Sequence, residues 1–266
     1  MSPLLLLAPR VTDDSVRVWR AAMDLGWEVK RLATWRMDAT PEVEREVIVY
    51  AEPLFAEAVA DQIGRVLLEP PPDWLPKVPE EFRLRQIGLC SLSEAREMEG
   101  PVFVKPAEGK VFEARVYSAG NELPGEELVD GSLTVIWSEP VNFTLEVRCF
   151  VLRGEVLSMS PYWRNGELAE AQDKSWPFFA SEEQEARQFV GRYLREHTSD
   201  CPAACVVDVG IIDGRGWAII EANPCWGAGL YGCSPNAALE TGRAAFVHRA
   251  QMTDELWRWT SPRSRR

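Results

Sequence analysis

The chain has 266 residues, of which 46% are hydrophobic, so it can bury either one large core or two smaller ones. Its formal net charge of −12 argues against a protein that follows the phosphate backbone of nucleic acids, because such proteins cluster Lys and Arg. The six cysteines are scattered, several of them within apolar runs, as is typical of reduced core thiols. We therefore expect a cytoplasmic protein that does not bind nucleic acid.

The first seventy residues alternate between the periodicities of strands and helices. The apolar run at residues 3–9 is far too short to span a bilayer, so it predicts a buried first strand and no membrane attachment. The β-α-β-β-α-β order favours a small α/β domain over residues 1–69 with a largely parallel sheet. The proline-rich residues 70–79 cannot form regular structure and are interpreted as a linker. The predicted strands are Pro3–Ala8, Glu28–Leu32, Arg45–Tyr50 and Arg65–Leu68. The predicted helices are Thr12–Leu25 and Pro53–Ile63.

Strands predominate beyond the linker. Consecutive hairpins imply antiparallel sheets, so residues 80–251 should form an α+β domain. Residues 252–266 are expected to be a C-terminal tail, whose basic end Ser261–Arg266 is solvated and disordered. Helices are predicted at Pro235–Gln251 and at Ser181–His197, the latter capped by Ser181. The predicted strands are Phe82–Leu89, Pro101–Lys105, Lys110–Tyr117 and Leu133–Glu139, followed by a hairpin over Thr144–Tyr162 that turns at Arg153 and Gly154.

The segment Val206–Gly229 carries the most informative side chains. It reads as two apolar strands joined by the tight turn Asp213–Gly216. Residues two apart in a strand point to the same face, so Glu221 and Asn223 project together, and pairing about the turn would place Asp208 across from Glu221. Two carboxylates and an amide oxygen suit Mg²⁺ that is also bound to nucleotide phosphates. An exposed acidic strand end is the alternative, but the apolar neighbours favour the metal site, because burying unpaired carboxylates is costly.

Two lysines, Lys105 and Lys110, flank a short break at the end of an apolar strand. A half-buried lysine at a strand end needs an anionic partner, and phosphate oxygens would supply one. A local carboxylate would serve Lys105 equally well, with Lys110 in solvent, and the residues alone leave both interpretations open.

Two further strands end or continue in polar side chains. One ends near Glu139, where the main chain around Val141 could meet an adenine edge, although a plain strand terminus has the same pattern. On the next strand, Glu146 and Arg148 share a face, either as an exposed ion pair of little energetic value or with the arginine clamping a terminal phosphate. The context of Arg164 favours a surface turn.

Taken in order, these segments resemble the ATP-grasp superfamily of nucleotide-dependent ligases. FVKP resembles its phosphate-binding lysine strand, VIWSEPV its adenine hinge, EVRCFVLRGEVL its E-x-R strand, and VVDVG with IIEANP its D…E-x-N metal site. Lys105, Lys110 and Arg148 further resemble the clade named for one arginine and two lysines. The resemblance covers residues 80–250 and implies an ATP-grasp fold, in which two α+β subdomains clasp ATP, preceded by a small α/β domain.

The resemblance implies a role for each candidate residue. Asp208, Glu221 and Asn223 would hold Mg²⁺ against the nucleotide phosphates. Lys105 and Arg148 would be catalytic, the lysine on the α- and β-phosphates and the arginine on the γ-phosphate or an acyl-phosphate. The remaining nucleotide contacts would come from Lys110, Glu139, Val141 and Glu146.

The activity that the resemblance implies is ATP- and Mg²⁺-dependent ligation of a carboxylate to an amine. A substrate carboxylate would attack the γ-phosphate to give an acyl-phosphate and ADP, and an amine would then displace phosphate. The expected substrates are small molecules, amino acids or peptide termini. Two alternatives stay open: phosphoryl transfer to a non-carboxylate acceptor, and a non-catalytic ATP-binding regulatory module, against which the complete Asp/Glu/Asn set argues.

Overall fold

A three-stranded parallel sheet begins the chain. The computed structural model describes residues 2–37 and 45–261. Strand β1 (Leu4–Leu7) lies between β2 (Glu28–Arg31) and β3 (Val47–Tyr50), and both neighbours run parallel to it. All four leucines of β1 are buried, as expected for a parallel strand that is covered on both faces. The predicted parallel sheet is therefore present, with three strands.

Two helices follow the strands of this sheet. Helix α1 (Asp13–Asp24) begins with a capping box, in which Thr12 and Ser15 satisfy each other's backbone N–H groups. Helix α2 (Pro53–Gln62) starts with proline at its first position, where a missing N–H costs nothing. Both helices agree with the sequence-based prediction to within one residue at each end.

The fourth predicted strand does not join the parallel sheet. Strand β4 (Arg65–Leu67) instead pairs antiparallel with β14 (Phe246–His248), near the other end of the chain. Helix α7 (Pro235–Ala245) therefore stops at Ala245, and the predicted helix over Pro235–Gln251 is wrong beyond that residue. The cause is a long-range backbone pairing, which the helical periodicity of the segment does not reveal.

The proline-rich segment contains a short helix. Helix α3 (Trp74–Lys77) occupies part of residues 69–79, where no regular structure was expected. Trp74 is buried, and its Nε1 donates to the carbonyl of Asp200 at 2.6 Å, so burial of the indole orders this turn. The main hydrophobic core contains side chains from both sides of the segment. The division of the chain at residues 70–79 stays a prediction.

The strand predicted at Phe82–Leu89 is also wrong in its first half. Residues Glu80–Arg83 form helix α4, and strand β5 (Ile87–Ser91) begins only at Ile87. The reason is the packing of Phe82, which is fully buried with its ring 5.2 Å from that of Tyr193.

A four-stranded antiparallel sheet follows, in the order β5-β8-β6-β7. One of its faces covers a small separate core that includes Leu92, Val104 and Val135. The strand predicted at Lys110–Tyr117 is shorter than expected and begins at Arg115. The remaining elements of this unit are α5 (Leu92–Arg96), β6 (Val102–Pro106), β7 (Arg115–Tyr117) and β8 (Thr134–Ser138).

A five-stranded antiparallel sheet forms the rest of the framework, in the order β11-β10-β9-β12-β13. The predicted turn at Arg153 and Gly154 joins β9 to β10, and both residues have positive φ angles (50° and 81°), as type I′ hairpin turns require. The five strands are β9 (Phe143–Leu152), β10 (Glu155–Arg164), β11 (Glu167–Leu168), β12 (Ala204–Ile212) and β13 (Gly216–Asn223).

The long helix α6 (Ala180–Glu196) starts differently from the prediction. Phe179 occupies the N-cap position and provides no side-chain cap, so Ser181 lies inside the first turn and does not cap the helix. Glu182 and Glu183 in that turn still complement the positive end of the helix dipole.

The segment after residue 252 is partly ordered against the core. Helix α8 (Asp254–Trp257) is followed by Trp259, which is buried and whose carbonyl accepts a hydrogen bond from the backbone N–H of Glu69. Ser261 is buried too, so the expectation that it belongs to a solvated tail is wrong, while residues 262–266 lie outside the described part of the chain. Within residues 2–37 and 45–261, no helix is long and apolar enough to cross a membrane.

Replacing Trp259 with alanine should lower the free energy of unfolding by about 3 kcal/mol, because the substitution empties a buried indole site. Urea denaturation followed by circular dichroism measures the change. Trp19→Ala is the control, since Trp19 is 41% exposed against 8% for Trp259, and it should cost less than about 1 kcal/mol. Equal losses in the two variants would show that the carboxyl-terminal segment does not stabilise the core.

Candidate functional site

The β12–β13 hairpin brings the predicted acidic residues together. Asp208 and Glu221 are direct partners across the two strands, as expected from the turn. Asn223, two residues after Glu221, donates from Nδ2 to Glu221 Oε1 at 2.9 Å and to Asp208 Oδ2 at 3.1 Å. The three side chains therefore form one contiguous polar cluster at the end of β13.

Arg148 holds the buried carboxylate of this cluster. It lies opposite Asp208 in the pairing of β9 with β12. Its Nε and Nη2 donate to the two oxygens of Asp208 at 2.9 and 2.7 Å, and Nη1 donates to the carbonyl of Gly229 at 3.0 Å. Both side chains are buried, Asp208 completely. Arg148 is thus a bidentate partner of a buried carboxylate, and it is not the exposed partner of Glu146.

Lys105 connects the two antiparallel sheets. Its Nζ, on β6 of the four-stranded sheet, lies 2.6 Å from Glu221 Oε2 on β13 of the five-stranded sheet. Burial would raise the pKa of Glu221, but the Lys105 ammonium and the hydrogen bonds from Lys105 and Asn223 outweigh it and lower that pKa to about 2. The sequence left open whether Lys105 binds a phosphate or a carboxylate. In the structure its partner is a carboxylate, that of Glu221 in the cluster.

The net pKa shift of the other two acidic side chains is opposite to that of Glu221, because in them burial prevails. It raises the pKa of Asp208, which Glu221 also raises and Arg148 opposes. The pKa of Glu146 is raised by burial, with Asp208 and Glu221 adding to the effect, although a hydrogen bond from the Tyr162 hydroxyl lowers it. A cation placed among these three carboxylates would lower their pKa values by stabilising the charged forms.

Two tyrosine rings contact the Arg148 guanidinium. The rings of Tyr162 and Tyr231 stack with their centroids 4.8 Å apart, and the Arg148 guanidinium lies 4.9 Å from the centroid of Tyr231 and 5.4 Å from that of Tyr162. Trp176 meets Tyr231 edge-on. Sequence reasoning missed these rings, because nothing in the spacing of Tyr162 and Tyr231 relates them.

The other predicted nucleotide contacts lie apart from the cluster. Glu139 pairs with Arg215 at 2.6 Å, in the turn at the far end of the β12–β13 hairpin, and Val141 lies in the nearby connection between β8 and β9. Lys110 is exposed in the loop between β6 and β7, and no ion pair joins it to another residue in the described part of the chain. Arg164, interpreted as part of a surface turn, pairs with Glu182.

Sequence reasoning also missed Arg85, which is buried between α4 and β5. It donates to the carbonyls of Ile219 and Ile220 on β13, immediately before Glu221. An arginine within the partly apolar run FRLRQIG was the available signal, but the segment was interpreted as a plain strand.

The cluster has the donor chemistry that a magnesium ion requires. Asp208 and Glu221 offer hard carboxylate oxygens, and a half-turn of the Asn223 amide would exchange its nitrogen for a third oxygen. Across residues 2–37 and 45–261, no three His, Cys, Asp or Glu side chains group as a self-sufficient metal site. A divalent ion here would draw further ligands from a bound phosphate or from water.

Known proteins resemble this chain in sequence family and in fold. A model of the ATP-grasp domain, family 2 of the clade named for one arginine and two lysines, matches residues 82–241. A RimK-domain ATP-grasp protein from Sphaerobacter thermophilus has a TM-score of 0.55 at 14% identity, over 92% of this chain and 97% of that chain. D-cycloserine synthetase has a TM-score of 0.57 at 14% identity, over 91% of this chain and 98% of that chain. An L-amino acid ligase from Bacillus licheniformis has a TM-score of 0.57 at 12% identity, over 94% of this chain and 76% of that chain. The comparison with curated proteins found no match.

Replacing Arg148 with methionine should lower the free energy of unfolding by about 3 kcal/mol or more, because Asp208 would remain buried without its cation. Arg164→Met is the matched control. Arg164 also binds a carboxylate through two nitrogens, but it and Glu182 are 28% and 21% exposed, so the loss should be about 1 kcal/mol or less. Chemical denaturation compares the two variants, and equal losses would contradict a buried, mutually dependent pair.

Proposed function

Because the chain belongs to this second family of the one-arginine, two-lysine clade of ATP-grasp domains, we propose that it is an ATP- and Mg²⁺-dependent ligase that joins a carboxylate to an amine. The family match confirms the resemblance noted in the sequence, and with the similar solved structures it confirms the α+β ATP-grasp fold. Two of those structures are named as a D-cycloserine synthetase and an L-amino acid ligase, which supports an enzyme of the ligase kind.

One observation carries the proposal: two cations meet two carboxylates at the end of the β12–β13 hairpin. Lys105 pairs with Glu221, and Arg148 pairs with Asp208. A nucleotide phosphate chain with its divalent ion has both signs of charge, so it can bind the same four side chains, its anionic oxygens at the cations and its metal at the carboxylates.

Asp208, Glu221 and Asn223 would hold the magnesium ion. When bound, that ion would neutralise charge on the phosphoryl oxygens. Lys105 would then donate to the α- and β-phosphate oxygens in place of Glu221. Arg148 would direct the N–H groups that Asp208 and Gly229 leave free toward the γ-phosphoryl group, where charge grows during transfer. Both cations are proposed as catalytic residues, through electrostatics and positioning.

The proposed reaction needs no protein nucleophile. An oxygen of the substrate carboxylate attacks the γ-phosphorus, and the bond from that phosphorus to the β,γ-bridging oxygen breaks, which releases ADP. The amine nitrogen then attacks the acyl carbon, loses a proton, and expels inorganic phosphate as the acyl–oxygen bond breaks. Arg148, held between Asp208 and the rings of Tyr162 and Tyr231, would remain fixed beside the transferred group.

The other end of the hairpin is proposed to receive adenosine. There, Glu139 and the main chain near Val141 would face the base and ribose. The ion pair with Arg215 holds the Glu139 carboxylate in place. Glu146 would contribute negative charge beside Asp208. Lys110, in the β6–β7 loop, is proposed to bind the nucleotide phosphates.

The substrates are proposed to be small acids and amines, amino acids or peptide termini. All six cysteines are free thiols, which supports a reducing cytoplasm. We further propose that residues 1–69 form a preceding α/β domain, residues 70–79 a linker, residues 80–251 the ATP-grasp domain, and residues 252–266 a C-terminal extension.

An ADP-release screen over acids and amines, with mass detection of products, tests the proposed ligation. ADP should form at an appreciable rate only when an acid and an amine are both present, and Glu221→Gln should reduce that rate by about 100-fold. Glu182→Gln, in the ion pair with Arg164 that lies apart from the cluster, is the control and should leave the rate unchanged.

Two results would contradict ligation. A stable phosphorylated acceptor that accumulates without any amine would indicate simple phosphoryl transfer. An unchanged rate of ADP release by Glu221→Gln would show that the proposed metal site does not take part in the reaction.

A further inference from the structure

Arg85 binds backbone rather than carboxylates. Its side chain is buried, and Nη1 and Nη2 donate to the carbonyls of Ile219 and Ile220 at 2.8 and 3.0 Å, with a third hydrogen bond to the carbonyl of Arg83. Its guanidinium also lies 5.2 Å from the centroid of the Phe143 ring. A charged side chain has thus been taken out of water to hold two adjacent peptide groups of β13.

Those two peptide groups lie at an irregularity of the strand. Asp208 pairs with Glu221, but the next residue of β12, Val209, pairs with Ile219. Ile220 is therefore an extra residue, a β-bulge, and a bulge leaves backbone groups without ladder partners while it re-aims the side chains beside it. Since β13 is also the edge strand of its sheet, no further strand of the described chain satisfies these carbonyls. Arg85 satisfies them instead.

The bulge decides where Glu221 points. Side chains alternate between the faces of a strand, so a shift by one residue would turn Glu221 away from Asp208 and Lys105. Ile220 directly precedes Glu221, and fixing its carbonyl fixes the peptide plane that leads into the glutamate. The hydrogen bonds of Arg85 therefore determine the relative placement of the two carboxylates.

Arginine suits this position better than lysine. Its planar fork donates to two neighbouring carbonyls at once, whereas an ammonium is a compact group without that fixed geometry. Burial lowers the pKa of Arg85 to about 10, and Arg83 contributes, but Glu221, Glu146 and Glu139 act to keep it charged. The side chain is thus a cation at neutral pH.

We propose that Arg85 is a positioning residue for metal binding: by holding the bulge at Ile219 and Ile220, it keeps Glu221 against Asp208 in the arrangement that binds a nucleotide-bound divalent cation. It acts through the strand and not by contact with the nucleotide. The proposal rests on the proposed nucleotide and metal site.

The test compares Arg85→Lys and Arg85→Met with Arg96→Lys. Arg96 is the matched control, since it also bridges two backbone carbonyls, those of Pro124 and Val129, in the four-stranded unit. Calorimetric titration measures ADP affinity with Mg²⁺ and with EDTA, and hydrogen–deuterium exchange is followed over residues 217–223. Should Arg85→Met fail to fold, Arg85→Lys alone decides.

In Arg85→Lys, the gain in ADP affinity that Mg²⁺ provides should fall about tenfold, whereas affinity in EDTA changes less than about twofold. Exchange should accelerate over residues 217–223, and neither effect should occur in Arg96→Lys. An unchanged Mg²⁺ effect would overturn the proposal, as would an equal loss with and without Mg²⁺, which indicates direct nucleotide contact.

The experiment separates this proposal from the proposed function. If the unmodified protein bound ADP without any help from Mg²⁺, the metal site itself would be wrong. The role of Arg85 in metal binding would fall with it, while faster exchange at residues 217–223 would still establish that Arg85 positions Glu221.

Discussion

The buried ion pair between Arg148 and Asp208 fixes how the centre of the five-stranded sheet presents its polar side chains. Arg148 on β9 faces Asp208 on β12, which in turn faces Glu221 on β13, so one row crosses three strands. Neither member of the pair can be removed without leaving a buried charge. Lys105 extends this row to the second sheet through Glu221, so the charged cluster also joins the two sheets.

This charged row is poorly explained by stability alone. Replacing a buried ion pair with apolar side chains of similar volume is often neutral or stabilising, because the cost of desolvation offsets the Coulomb attraction. The buried pair Arg148–Asp208 and the half-buried pair Lys105–Glu221 share one cluster here, and a bulge held by Arg85 maintains their geometry. A site that receives phosphate and a divalent ion accounts for the charges, since each of the four side chains would gain a ligand of the opposite sign.

The sequence predicted the parts of the site that local geometry determines. The alternation of β13 placed Glu221 beside Asn223, and the tight turn placed Asp208 across from Glu221. The sequence did not identify the partner of Lys105, because Glu221 lies 116 residues away and only the folded sheets bring the two side chains together. The role of Arg85 was hidden for a related reason: its partners are main-chain carbonyls at a bulge, which leave no pattern in the side chains.

Two errors in the fold have the same origin. The predicted carboxyl-terminal helix was too long, because the residues after Ala245 form β14 and pair with β4. The strand predicted at Phe82–Leu89 began too early, because Phe82 packs against α6. In both, the local periodicity of the segment gave no sign of a contact with a distant part of the chain. Three strands of the parallel sheet and both long hairpins were predicted correctly, although β4 does not join that sheet.

Electron paramagnetic resonance of Mn²⁺, with ADP present, measures whether the β12–β13 hairpin binds a metal ion together with a nucleotide. Mn²⁺ replaces Mg²⁺ at sites of oxygen ligands, and its free signal disappears when it binds. Mn²⁺ binding should require ADP and should weaken about tenfold or more when Asp208→Asn and Glu221→Gln are combined. Equal binding by that double variant and by the unmodified protein would contradict the assignment of the hairpin as a metal–nucleotide site.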